Sequence, residues 1–220
     1  MQYTLVLLMT TCSSLLITST MSARPSNDDI TIIRQRVLKG MVWPTNDSLP
    51  SIVQRALSYT RVLNASCYWP DINYYDDNIV LWDPARHMDR IRTMLQALTV
   101  NSSTVYNDTK IRTAVHCALN VWLTNDWQNP NWWWNPINTT VQTTGQLLML
   151  GNDATTFEIE KIKEISFRAN WWDNPGETGA NLVWMIQAGL YRSLATNNVT
   201  GWSREEKSQG HRIYLRLIST

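Results

Sequence analysis

The sequence lacks the short motifs that mark several large classes of enzyme. It contains no H-E-x-x-H or C-x-x-C, and its histidines, His87, His116 and His211, do not stand at metal-ligand spacing from one another. It also contains no P-loop, no G-x-G-x-x-G and no G-x-S-x-G, so the generic signatures of nucleotide binding and serine hydrolysis are missing. We therefore expect structural histidines and no metal site.

Charged residues are also scarce, at 17% of the chain, and the formal net charge is only +1. Such a weak overall field gives no reason to expect nucleic acid as a partner, so any anionic ligand must be held by a local site. Hydrophobic residues make up 44% of the 220 residues, which is enough for a globular core. No Pro/Gly/Ser-rich linker divides the chain, and a single domain is predicted.

The N-terminus carries the most apolar stretch of the sequence. Residues 1–23 have the pattern of a secretory signal peptide, with the small residues Ser22 and Ala23 at a suitable cleavage site. The stretch is too short and too polar at its end for a membrane span, so we expect a soluble, secreted, extracellular protein without a membrane partner. Six N-x-Ser/Thr sequons support secretion and predict glycosylation. Their asparagines are Asn46, Asn64, Asn101, Asn107, Asn138 and Asn198.

Only three cysteines are present, and Cys12 lies within the predicted signal peptide. Cys67 and Cys117 would remain in the mature protein. In an oxidising compartment this pair forms either one disulfide or two buried thiols, and the sequence leaves both open.

Apolar residues recur at helical spacing along the whole chain, and no alternating stretch indicates a strand. Long loops fall on alternate connections, which is typical of helical hairpins stacked side by side with their loops along one rim. The sequence therefore predicts an all-α fold. The predicted helices cover about residues 26–40, 50–63, 84–98, 108–123, 141–150, 155–165 and 182–194.

The aromatic residues are unusual, because the chain has 12 Trp and only 2 Phe. Three of the tryptophans are consecutive and stand between Asn131 and Asn135, and two more form the pair Trp171-Trp172. Each indole offers a large apolar face and one N–H donor. Such rings beside asparagine amides suit a carbohydrate-binding cleft, and packing between helices is the alternative interpretation.

A second notable motif is Thr178-Gly179-Ala180-Asn181, at the start of the last predicted helix. An asparagine at a helix start is usually an N-cap. The Trp171-Trp172 pair within ten residues upstream favours a functional role for Asn181 over a cap alone.

These two motifs, in this order, resemble polysaccharide lyase family 8, which includes hyaluronate, chondroitin AC and xanthan lyases. The first is Asn-Trp-Trp-x-Asn from Asn131, followed by a Leu-rich helix, and the second is Thr-Gly-Ala-Asn-Leu-Val from Thr178. The resemblance extends over about residues 30–197. It implies an incomplete α/α toroid of stacked helical hairpins over residues 24–200, followed by a divergent tail over residues 201–220.

The resemblance also implies roles for individual residues. Trp132 and Trp133, with Asn131 beside them, correspond to the aromatic patch of the family, and Asn181 corresponds to its catalytic asparagine. Trp171 and Trp172 are candidates for the third aromatic of the patch, which is otherwise unmatched.

The implied reaction is β-elimination at a uronic acid of an acidic polysaccharide, such as a glycosaminoglycan, without a metal or organic cofactor. A neutral amide that bonds the uronate carboxylate stabilises the charge that develops when the C5 proton leaves. A base must take this proton, and an acid must protonate the leaving oxygen.

In the family a histidine and a tyrosine supply the base and the acid. The segment that carries them is not recognisable here, and His211 and Tyr214 do not match in spacing or neighbours. The Trp loop departs from the family as well, with Pro136 in place of a glutamate and Asn138 in place of a glycine. We therefore expect weak or no turnover by this chain alone. Two alternatives stay open: a non-catalytic, carbohydrate-binding relic of a lyase domain, and a structural role in which the tryptophans cover an exposed toroid edge.

Overall fold

Helices and tight helical turns make up the regular structure in the computed structural model, which describes residues 27–42, 48–169 and 178–197. Across these ranges there are seven α-helices and no strand, so the predicted all-α class is confirmed. The helices are α1 Asn27–Val42, α2 Leu49–Val62, α3 Ala85–Thr99, α4 Thr109–Asn125, α5 Thr140–Leu150, α6 Thr156–Ser166 and α7 Gly179–Thr196. None of the helices in the described ranges combines the length and the apolar composition that a membrane crossing requires.

Several sequence predictions fall outside the described residues, and the structure does not bear on them. They concern the signal peptide 1–23, the tail 201–220, Trp171, Trp172, Asn46, Asn198 and His211.

Helix boundaries agree with the predicted ranges at some ends and depart from them at others. Thr155 and Glu158 form a capping box at the start of α6, with Thr155 N–H donating to Glu158 Oε2 at 2.8 Å. The expected end of α1 at Gly40 is wrong, because the helix continues to Val42. Asp83 does not cap α3, because its carboxylate instead accepts bonds from the backbone N–H of Asn73 and from Arg86.

The helices form two layers. In one layer, α5 lies between α3 and α7 and packs against both of them. In the other layer, α4 packs against α2 and α6, and each of these helices also contacts the first layer. Helix α1 contacts α3, α5 and α7. Consecutive helices thus alternate between layers from α2 to α7, as expected for stacked hairpins.

Helix α5 is the most deeply buried element, although much of it is polar. Thr140, Thr143, Thr144 and Gln146 are all fully buried. The three hydroxyls donate to backbone carbonyls one turn earlier at 2.6–2.7 Å, so they need no partner from another helix. Gln146 Nε2 donates to the carbonyl of Met88 at 2.9 Å and so links α5 to α3.

The loop between α2 and α3 is fixed by buried aromatic rings and one charged cluster. Trp69 is fully buried, and the guanidinium of Arg90 lies 5.4 Å from the centre of its ring. Arg90 also binds Asp71 through two bonds, and the hydrogen bond from Arg90 lowers the pKa of Asp71 to about 2. Cys67, in the same loop, forms a disulfide with Cys117 of α4, with their Cα atoms 5.5 Å apart. The thiol alternative is therefore wrong.

The two described histidines are structural, as the sequence predicts. His87 is fully buried, and its Nε2–H donates to the carbonyl of Ala118 at 2.9 Å. Its Nδ1 therefore accepts from the Tyr74 hydroxyl, also at 2.9 Å. Burial lowers the pKa of His87 to about 4, so the ring is neutral near pH 7.

His116 joins α4 to α6 through Glu158. Its Nδ1 lies 2.7 Å from Oε1 of this fully buried carboxylate, whose Oε2 is occupied by the capping bond to Thr155. The hydrogen bond to Glu158 raises the pKa of His116 above 6.5. Because the pKa of His116 is raised in the folded state, the protonated ring stabilises the fold fully at pH values below its unfolded-state pKa. This stabilisation is lost as the pH rises through the folded-state pKa.

His116→Ala should lower the free energy of unfolding by about 1–3 kcal/mol below pH 6.5, because it removes a hydrogen bond to a charged, buried group. Urea titrations over a series of pH values should also show that wild-type stability declines above pH 6.5 and that the variant loses this decline. Thr113→Ala, at an exposed position of the same helix, is the control and should keep the wild-type profile. An unchanged pH profile in His116→Ala would contradict the assignment.

Candidate functional site

The three tryptophans form a single 3₁₀ turn, Trp132–Trp134, which leads through a π turn, Asn135–Thr139, into α5. Asn131 caps the 3₁₀ turn, because its Oδ1 accepts from the backbone N–H of Trp133 at 3.2 Å. Its Nδ2 donates to the carbonyl of Ile79 at 2.9 Å. The side chain that the sequence assigns to substrate binding thus has a structural role in this loop, and contact with a sugar stays a prediction.

Four asparagines hold the Trp turn in place, and we call them the asparagine cluster: Asn78, Asn129, Asn131 and Asn135. Asn129, only 4% exposed, is its centre. Its backbone N–H donates to Asn135 Oδ1 and its carbonyl accepts from Asn135 Nδ2, both at 2.9 Å. Its side chain donates to the carbonyl of Asn78 at 3.1 Å and accepts from the N–H of Asn131 at 2.8 Å.

Sequence reasoning missed Asn129 and the cluster around it. A signal was present, since asparagines that alternate with tryptophans around Pro130 suit side chains that bond the backbone two residues further on. The amides beside the tryptophans therefore build the loop first. They hold the rings in defined positions, which any use of those rings as a binding surface requires.

The three indoles have different environments. Trp134 packs against the core, lies 5.6 Å from the ring of Trp82 and donates its Nε1–H to the carbonyl of Ile79 at 3.1 Å. Trp134 therefore serves packing, which was the alternative interpretation of the three tryptophans. Trp132 is 42% exposed. Trp133 is half-buried and packs on the small core cluster that contains Ile137.

Asn181 lies in the first turn of α7 and is half-buried. The N-cap residue of α7 is Thr178, three residues before Asn181, so the interpretation of Asn181 as the cap is wrong. Gly179 opens the helix with a φ of +61°, a left-handed conformation that glycine adopts without strain. The motif therefore has a local reason for its glycine, and Thr178 rather than its asparagine occupies the N-cap position.

Trp184 joins the Trp turn to the helix that carries Asn181. Its ring stands edge-to-face to that of Trp133, with centroids 5.7 Å apart and planes at 81°. Because positions three apart share one face of a helix, Trp184 lies on the same side of α7 as Asn181. The two motifs, 50 residues apart in sequence, thus lie beside each other in space.

A half-open cavity of about 280 Å³ extends from this contact between the helices. Trp133 and Trp184 both line it, together with residues from α1, α3, α5, α7 and the π turn. Its polar lining includes Arg92, Asn138, Gln142, Gln187 and Tyr191. Within the described residues, no group of three or more His, Cys, Asp or Glu side chains could hold a metal ion.

The described sequon asparagines differ in accessibility. Asn64, Asn101 and Asn107 are exposed in loops, whereas Asn138 is half-buried in the π turn and lines the cavity. Its Oδ1 is buried without a hydrogen-bond partner in the described part of the chain, and the sequon residue Thr140 is fully buried. Glycosylation at all four stays a prediction.

A stack of helical hairpins with an aromatic loop at one end of a half-open cavity is the architecture of an α/α toroid domain. The model of the polysaccharide lyase family 8 N-terminal alpha-helical domain matches residues 45–204. The chain belongs to polysaccharide lyase family 8.

Two similar proteins support this assignment. Chondroitinase-AC of Pedobacter heparinus is 24% identical over 167 residues, which cover 76% of this chain and 23% of that protein. A solved structure of chondroitinase AC lyase, from a study of its oligosaccharide complexes, matches with a TM-score of 0.65 and 24% identity. The match covers 77% of this chain and 24% of that one, and it shows a shared fold. The chain spans about a quarter of the length of these relatives.

Asn129→Ala should loosen the Trp turn and lower the free energy of unfolding by about 1–3 kcal/mol, because it removes two side-chain hydrogen bonds, one to the carbonyl of Asn78 and one from the N–H of Asn131. Urea unfolding measures the loss, and near-UV circular dichroism reports the changed tryptophan environment. Gln128→Ala, at the exposed neighbouring position, should change neither signal. If the two variants behave alike, the asparagine cluster does not hold the turn.

If the protein is secreted from eukaryotic cells, glycan occupancy should be lower at Asn138 than at Asn64, Asn101 and Asn107, because a half-buried amide in the cavity wall leaves little room for a sugar. Mass spectrometry of glycopeptides, with enzymatic deglycosylation to count sites, provides the measurement. Equal occupancy at all four would show that attachment precedes or overrides this packing.

Proposed function

We propose that this chain binds an acidic polysaccharide of the glycosaminoglycan type through Trp132 and Trp133, with Asn131 beside them. The associated reaction is β-elimination at a uronic acid, with Asn181 as its catalytic asparagine. The contact between Trp133 and Trp184 carries the proposal, since it brings the aromatic turn beside the helix of Asn181. The glycosaminoglycan class is taken from the name of the chondroitinase relative. Trp171 and Trp172 remain proposed contributors to the same surface.

Each residue has a distinct task in this proposal. The exposed ring of Trp132 covers the apolar face of a sugar, and the cluster beneath it keeps the ring in place. Asn181 offers a neutral amide that bonds the uronate carboxylate and stabilises the charge that builds up as the C5 proton leaves. Trp133 is half-buried between Trp132 and Trp184 of α7, and it links the exposed ring to the helix that carries Asn181.

Elimination also needs a base and an acid, and the described histidines are both engaged elsewhere. His87 is buried and has bonds at both ring nitrogens, and His116 is paired with Glu158. This supports the proposal that the chain alone turns over polysaccharide weakly or not at all. It also favours the second candidate function, a domain that holds a sugar chain without cutting it.

Secretion belongs to the same proposal. The pattern of residues 1–23 and the exposed sequons at Asn64, Asn101 and Asn107 support an extracellular glycoprotein. The extracellular space is also where a glycosaminoglycan ligand is found.

Trp132→Ala should weaken binding of chondroitin chains about tenfold, because it removes the exposed ring of the platform that Trp132 and Trp133 form. A tenfold loss corresponds to about 1.4 kcal/mol. Calorimetric titration of the purified chain with size-selected chondroitin measures the effect. Phe157→Ala is a matched control, since Phe157 on α6 is 41% exposed and Trp132 is 42% exposed. Equal chondroitin affinity of wild type and Trp132→Ala would contradict a role for the platform in binding.

Asn181→Ala separates cleavage from binding. Any turnover, followed by the ultraviolet absorbance of the unsaturated uronate product, should disappear in this variant, while binding should stay within about twofold because the platform is intact. Binding that survives Asn181→Ala without turnover in the wild type would favour the non-catalytic function. Strong turnover by the wild-type chain would contradict the proposal of weak activity.

A further inference from the structure

We propose that the cavity beside Trp133 and Trp184 is a subsite for a single uronate-type sugar unit, and that Arg92 is the cation that binds its carboxylate. This inference rests on the proposed function, because it assigns one unit of the bound polysaccharide to a defined place.

The aromatic wall provides the surface for the sugar ring. Trp133 and Trp184 meet edge-to-face, so their ring planes stand at 81° and form a corner at the end of the cavity. Trp184 is 37% exposed, so part of its indole can contact a ligand. The volume of about 280 Å³ lies at the small end of ligand pockets and suits one sugar ring better than a longer oligosaccharide.

The charge in this wall is of one sign. Arg92 is the charged side chain that lines the cavity among the described residues, and it is exposed on α3. The other two arginines at the start of this helix are committed to acids: Arg86 binds Asp71 and Asp83, and Arg90 binds Asp71. Within the described part of the chain Arg92 forms no ion pair of this kind. Its planar guanidinium matches a carboxylate in geometry.

The closest acid along α3 is Asp89, one turn before Arg92, and it is engaged by another group. Its Oδ1 accepts a hydrogen bond from Gln142 Nε2 at 2.9 Å. This bond orients the amide of Gln142, which lines the cavity, so that its Oε1 is left as an acceptor for a sugar hydroxyl. Asp89 and Arg92 also attract each other electrostatically, but Asp89 does not line the cavity, so Arg92 is the charged group that the cavity presents to an anion.

The cavity and the platform share Trp133, which lines the cavity and directly follows the exposed Trp132. A polysaccharide that crosses Trp132 therefore has its next unit at the cavity mouth. In this arrangement the platform provides contact area for any sugar, and the cavity provides the preference for an acidic unit.

Saturation-transfer NMR of the purified chain with sodium glucuronate tests the subsite directly, with glucose as the neutral control sugar. We expect glucuronate to bind and glucose to bind at least tenfold more weakly. Arg92→Gln should weaken glucuronate binding at least tenfold and bring it to the level of glucose. Arg61→Gln, at an exposed position of α2 outside the cavity, should leave it unchanged. Equal urea midpoints of the two variants confirm that both are folded.

Glucuronate binding that is absent in the wild type, or that is equal in wild type and Arg92→Gln, overturns the subsite. Failure of the proposed function has a different result. If chondroitin chains do not bind but glucuronate binds in an Arg92-dependent manner, the subsite stands and polysaccharide binding fails. If chondroitin binds but glucuronate binds equally to wild type and Arg92→Gln, the subsite proposal is wrong and the proposal of polysaccharide binding is kept. Trp132→Ala should weaken chondroitin binding and leave the affinity for glucuronate unchanged.

Discussion

The backbone carbonyl of Ile79 accepts hydrogen bonds from both Asn131 Nδ2 and Trp134 Nε1, and the position of the Trp turn depends on this shared acceptor. One bond holds the start of the turn and the other holds its end, so the turn cannot rotate about either alone. With both ends fixed, Trp132 is left facing solvent, and Trp133 is directed towards α7. Hydrogen bonds within the loops therefore decide which indoles can meet a ligand.

The loop between α2 and α3, which supplies Ile79, must itself be fixed, and buried side chains and cross-links hold it. Trp69 and Trp82 anchor it in the core, the disulfide from Cys67 ties it to α4, and Asp71 ties it to Arg90. Two long loops thus support each other, and the rigid helical layers lie beneath both. Trp69 and Trp82 are buried whereas Trp132 is exposed, so a substitution at Trp132 can alter binding without touching these anchors.

Much of the fold could be predicted from the sequence, because helical spacing of apolar residues records which face of each helix is buried. The same reasoning fails where burial is polar. Thr143 and Thr144 are fully buried, yet their hydroxyls are satisfied within their own helix, which an apolar pattern does not record. Asp83, directly before Pro84, bonds the backbone of Asn73 ten residues away instead of capping α3, so a local signal yields to a more distant partner.

The candidate site could be predicted in part. Its two motifs could be recognised in the sequence, and they lie together in space through Trp184, a residue that no motif marked. The roles of the amides could not be read in the same way, since an asparagine side chain can bond a sugar or its own backbone equally well. Asn131 caps a turn and Asn181 does not cap its helix, and only the hydrogen bonds of the folded chain distinguish them.

The differing burial of Trp132 and Trp133 makes recognition and stability separable at this site. Trp133 packs on a core cluster and against Trp184, so its removal would disturb both the fold and the surface. Trp132 is 42% exposed, so its contribution to binding can be measured with little change in packing. The same separation applies to α3, where Arg90 stabilises the loop and Arg92, two residues later, faces the cavity. Positions one or two residues apart thus divide between holding the site together and presenting it to a ligand.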